Sequence, residues 1–134
     1  MSKRAAFLNR LQADAGLAAP DDALRAAKSV FRALRDRLTP EEAADLEAQL
    51  STELKEIWRG SAIQSLFHKA TGPKRISFET FVGRVAAENE VSYDRALELT
   101  KRTFHLLKHA ISPGEVEDVA SQLPKKLKIL WLEA

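Results

Sequence analysis

Apolar residues recur along this chain at three- and four-residue spacing, and no five-residue stretch alternates strictly with β-branched enrichment. That pattern predicts an all-α protein. Leu24, Ala27, Phe31, Leu34 and Leu38 define one face of a long helix over residues 21–38. Leu97, Thr100, Phe104, Leu107 and Ile111 define the same face of a second over residues 93–111. Shorter amphipathic helices are predicted over 3–15 and 78–89, with Asp21, Ser77 and Ser92 placed as N-caps. A third kind of helix opens at Thr39-Pro40-Glu41-Glu42 and again at Ser112-Pro113-Gly114-Glu115. Each gives a hydroxyl cap, a proline with no N–H to lose, and a glutamate spaced to reach back to the cap's N–H. Gln49-Leu50-Ser51 and Gln122-Leu123-Pro124 then reset the chain into a fourth helix ending near tryptophan.

The doubling of these signals is a true internal repeat. A shift of 73 residues superposes 13 identities on the 36 positions 23–58 without a gap, among them Phe31 on Phe104, Pro40 on Pro113, Gln49 on Gln122 and Trp58 on Trp131. One extra residue between the first two helices extends the match to Phe7 with Phe81 and Arg10 with Arg84. The expected architecture is therefore two tandem four-helix repeats packed as one pseudo-twofold helical domain over 1–134. Repeat one takes 3–60, a connecting segment 61–76 and repeat two 77–134. Within the connection, Ser61–His68 is expected to prolong the preceding helix, and Ala70-Thr71-Gly72-Pro73-Lys74 to form a loop.

Composition removes several classes of function. The absence of cysteine excludes disulfides, thiolate metal sites and cysteine nucleophiles. No apolar run reaches the ~20 residues of a membrane span, and no signal-peptide core follows the N-terminus, so a cytoplasmic protein is expected. The net charge is only +2. Residues 1–60 hold ten basic against ten acidic side chains and residues 61–134 eleven against nine, which disfavours a phosphate-binding protein.

The repeated pattern Leu/Ile-Thr/Ser-Pro-x-Glu-x-x-Asp-Leu/Val-x-x-Gln-Leu, with its following tryptophan helix, is similar to the bacterial "domain of unknown function 2267" family. Its Gln-Leu-Pro step stands here as Gln122-Leu123-Pro124, with Ser51 replacing the proline in the first copy. The resemblance implies a compact helical fold over residues 7–134 and supplies no catalytic residues.

Candidate chemistry is sparse. His105 and His109 have the helical spacing of a zinc pair, but Leu106 stands where a metalloprotease glutamate belongs, and the first copy has Arg32 and Asp36 instead. No metal site, cofactor or catalytic residue is assigned. The carboxylate pairs Glu42/Glu115 and Asp45/Asp118 invite acid–base chemistry, which requires one of them to be buried and shifted. The glutamates are already accounted for by capping. Gln49 and Gln122 read as amides satisfying free backbone groups at a helix break, or as a paired recognition site. Trp58 and Trp131 read as core. Leu99 and Leu106 replace Ala26 and Ala33 and lie off the Phe104 face, so they mark either an asymmetric core or an apolar strip for a partner.

The functional expectation is a non-enzymatic protein-interaction or self-association module using Leu99, Leu106, Gln49 and Gln122. The alternatives are weak nucleic-acid contact through Lys125, Lys126 and Lys128, with Lys74 and Arg75 as neighbours, or a small ligand or metal held between the repeats.

Overall fold

A computed structural model describes residues 2–60 and 76–134. The expectations for residues 61–75, including the helix extension, the loop, Lys74 and Arg75, lie outside these described residues. Among them are eight helices and no strand: α1 (Lys3–Ala15), α2 (Pro20–Arg37), α3 (Pro40–Gln49), α4 (Thr52–Gly60), α5 (Phe78–Asn89), α6 (Tyr93–His109), α7 (Pro113–Ser121) and α8 (Lys125–Glu133). None is long and apolar enough to cross a membrane.

Local chemistry sets the boundaries. Ser2, Thr39, Ser77, Ser92 and Ser112 each accept a backbone N–H in the first turn of the helix they precede, satisfying donors that a helix start leaves open. Ser51 does the same for Leu54 N at 3.3 Å. The expected cap at Asp21 is corrected. Pro20 occupies the first turn of α2, Ala19 is the N-cap without a side-chain bond, and Asp21 lies inside the helix. Proline's fixed φ starts that helix two residues earlier than a cap at Asp21 would. The helix read to Ile111 ends at His109, with Ala110 as its C-cap. Gly16 closes α1 in the left-handed region at φ 63°, and Glu90 closes α5 there at φ 54°.

The interior is one contiguous apolar cluster drawn from all eight helices. Two aromatic stacks organise it. Phe7, Phe31 and Trp58 join α1, α2 and α4, with ring centroids 6.0 and 5.4 Å apart. Phe81, Phe104 and Trp131 join α5, α6 and α8, at 5.9 and 5.0 Å. Both tryptophans are fully buried, as core residues should be. The Trp131 indole N–H donates to the Val116 carbonyl at 2.9 Å.

Helices from the two ends of the chain meet where α2 packs on α5, where α1 and also α2 pack on α6, and where α3 packs on α7. On the first, Arg84 pairs with buried Asp36 at 2.8 Å and Arg32 with Glu88 at 2.6 Å. On the second, His109 and His105 stand where repeat alignment puts Asp36 and Arg32. There Arg10 turns to Asp14 of its own helix at 2.9 Å, and the Arg95 guanidinium donates to the Ala15 carbonyl. The third seam carries the most distinctive polar chemistry.

Candidate functional site

The capping expectation for α3 and α7 is half met, and the other half leads to the site. Thr39 Oγ1 and Ser112 Oγ accept from Glu42 N and Glu115 N, each at 3.2 Å. The glutamates do not reach back. The Thr39 N–H donates instead to Gln122 Oε1 at 2.9 Å, and the Ser112 N–H to Gln49 Oε1 at 2.7 Å. Each helix start is thus completed by a glutamine from the far end of the chain. Gln122 Nε2 also donates to Thr39 Oγ1 at 3.3 Å, while Gln49 Nε2 donates to Glu115 Oε1 at 3.3 Å. Arg37 adds a bond to the Gln122 carbonyl at 3.3 Å. The glutamines do satisfy free backbone groups, but across the seam rather than at their own helix break.

Released from capping, Glu42 and Glu115 turn toward one another. They are 9% and 5% exposed. Glu42 Oε1 and Glu115 Oε2 are buried and receive no donor from any described residue. Two carboxyls in that position cannot both stay ionised cheaply. Burial first, then the hydrogen bond and charge of Glu42, with Asp118 and Asp45 adding, push Glu115 up to about 8. Near neutral pH the pair therefore holds a proton. Glu42, Glu115 and Asp118 each bring a carboxylate oxygen within 4.8 Å of the others, so these three could hold a metal ion. Asp118 and Asp45 are exposed at the rim.

Glu115 thus meets the condition, burial and a shifted pKa, that acid–base chemistry demands. Sequence reasoning had assigned it to capping. The signal available was the pair of glutamines retained at equivalent positions, since an amide that takes the cap's N–H leaves the glutamate without its usual task.

The partner strip is corrected. Leu99 is 1% exposed and belongs to the core, so it cannot meet a partner. Leu106 is half-buried against the same cluster. It lines an open groove of about 440 Å³ with Phe7, Arg10, Leu54 and His109. The leucine-for-alanine exchanges fill an asymmetric interior. The exposed large apolar side chains lie elsewhere: Ile129 at 45% and Leu132 at 52% on α8, and Tyr93 at 40% at the start of α6. A second groove, of about 430 Å³, runs beside Leu132 between His105, Lys108, Ile111 and Val116. Repeat alignment puts Glu56 and Arg59 opposite Ile129 and Leu132, so polar residues of one copy are replaced by apolar ones in the other.

The remaining candidates separate. His105 and His109 stack edge to face at 4.6 Å, and His109 Nδ1 lies 2.9 Å from the His105 carbonyl. Among the described residues they are not part of a three-ligand metal cluster. Lys125 and Lys126 are exposed and Lys128 half-buried. Lys126 is tied to Glu79 at 2.9 Å, which holds the ammonium above its ordinary pKa and offsets the charge a phosphate would need.

These features define a class: an all-helical protein closed by a polar seam between α3 and α7. Its sequence matches the profile of the family described as uncharacterized conserved protein (DUF2267) over residues 4–130, and the chain belongs to that family. No curated protein matches it.

Proposed function

We propose that this chain is a cytoplasmic, non-enzymatic interaction module that engages another protein through the apolar face of α8. The carrying observation is the exposure of Ile129 and Leu132 at i, i+3 spacing. That spacing puts them on one side of the helix, beside a groove whose walls include Ile111 and Val116. An apolar helix face next to a groove suits an amphipathic partner segment. The reading treats residues 1–134 as a single domain of two repeats related by a pseudo-twofold axis through the α3–α7 seam. Its support is the reciprocity of the glutamine caps and of the aromatic stacks. The shifted Glu115 fits a structural carboxyl pair, because the grooves beside α1 and α8 are lined by other residues.

The test is retention of a partner from host lysate on immobilised wild type and on the Ile129→Glu/Leu132→Glu variant, with light scattering for self-association. The variant is expected to keep its helicity and lose the partner, or the dimer, by about tenfold or more, as buried apolar anchors dominate interfaces. Equal retention by both proteins overturns the reading. Retention that vanishes on nuclease treatment would point to nucleic acid instead.

A further inference from the structure

We propose that the α3–α7 seam is a binding site for a calcium-sized divalent cation, with Glu42, Glu115 and Asp118 as its carboxylate ligands. Calcium takes oxygen ligands at about 2.3–2.6 Å, so two ligands on opposite sides of the ion stand up to about 5 Å apart. The three carboxylate oxygens lie within 4.8 Å of one another. Magnesium demands near-ideal octahedral geometry and usually keeps several waters beside one or two carboxylates, so a set of three protein carboxylates suits calcium better. With no histidine or cysteine in the set, a hard cation is favoured over zinc.

A separate observation points to an occupant. Glu42 Oε1 and Glu115 Oε2 are buried and lack any donor among the described residues, in side chains more than nine-tenths covered. Buried acceptors of that kind require a donor or a positive species beside them. Exposed Asp118 gives an ion a route in from solvent and leaves room for water ligands. The charged groups facing the site are Glu42 and Asp45 from α3 and Glu115 and Asp118 from α7. Arg37 also reaches the seam, where it donates to the Gln122 carbonyl. Three protein ligands set an expected Kd of about 0.1–1 mM.

Titration calorimetry of the full chain with calcium chloride tests this together with thermal melts in calcium, magnesium or chelator. The expected result is saturable binding of one ion per chain at pH 7. Tm should rise by about 4–8 °C at about 10 mM calcium, and less with magnesium. Asp118→Asn, at an exposed position, should fold normally and weaken binding by about tenfold or more. Glu115→Gln should abolish binding while melting no lower than wild type in chelator at pH 8. Absence of saturable binding to wild type overturns the proposal. So does binding that both variants leave unchanged, since the ion would then sit elsewhere.

Discussion

Replacing Glu115 by glutamine isolates the cost of burying two carboxyls against each other. Glu115 Oε1 already accepts from Gln49 Nε2, so the amide oxygen of the variant can keep that bond. Oε2, which has no donor, becomes an NH₂ that can donate to Glu42 at every pH, whereas the wild-type pair has that hydrogen bond only while it holds its proton. The wild-type penalty follows from the rise of Glu115 from an ordinary 4.5 to about 8. At about 1.4 kcal/mol per pH unit the upper bound is near 5 kcal/mol. Water entering at the exposed Asp118 and Asp45 rim reduces this to on the order of 3 kcal/mol. The sign is fixed by linkage. A carboxyl whose folded pKa is raised keeps its proton in the folded chain after the unfolded chain has lost it. Stability is therefore greatest below about pH 4.5, falls as pH rises, and levels off above about 8. Urea unfolding in chelator, followed by fluorescence of the buried Trp58 and Trp131, measures this at pH 5 and pH 8. The variant should exceed wild type by roughly 3 kcal/mol at pH 8 and by less than about 1 kcal/mol at pH 5. Equal differences at the two pH values would refute a buried, proton-sharing pair.

Two further outcomes follow from the same geometry. Leu99→Ala should lose about 2–5 kcal/mol and lower Tm by roughly 10 °C, because it empties a fully packed position; wild-type stability in that variant would restore Leu99 to the surface. Gln122→Ala should cost about 1 kcal/mol, with water able to reach the freed Thr39 N–H. Gln49→Ala additionally strips a donor from Glu115, so its cost should grow between pH 5 and pH 8 in chemical denaturation while that of Gln122→Ala stays level.

The helices were legible because their signals are local. Serine and threonine caps, Pro40, Pro113 and the aromatic positions of each copy lie where the structure uses them. Burial of the tryptophans could be read from their equivalence in two copies. Pro20 overrode Asp21 because a fixed φ and a polar cap compete for the same turn, and single-sequence reasoning ranked them wrongly. Leu99 was misplaced for a different reason. Helical periodicity tells which residues share a face but not how many faces are covered, and α6 is packed by α1, α2, α5 and α8. The seam was the least legible feature. A glutamate three residues after a threonine looks the same whether or not it caps. Only contacts between residues 63 to 83 positions apart show that Gln49 and Gln122 have taken that role.

Those exchanged caps also bear on how the chain is made. Synthesis runs from the N-terminal side, so α3 emerges before Gln122, 83 residues later, can take up its Thr39 N–H. Glu88 and Arg84, which neutralise Arg32 and Asp36 on α2, likewise arrive after the first four helices are complete. The leading half therefore leaves the ribosome with open polar ends and an uncovered helix face, and its final structure waits on the trailing half. A chain interrupted between the two halves would expose these surfaces, so the trailing half acts as a checkpoint for the leading one.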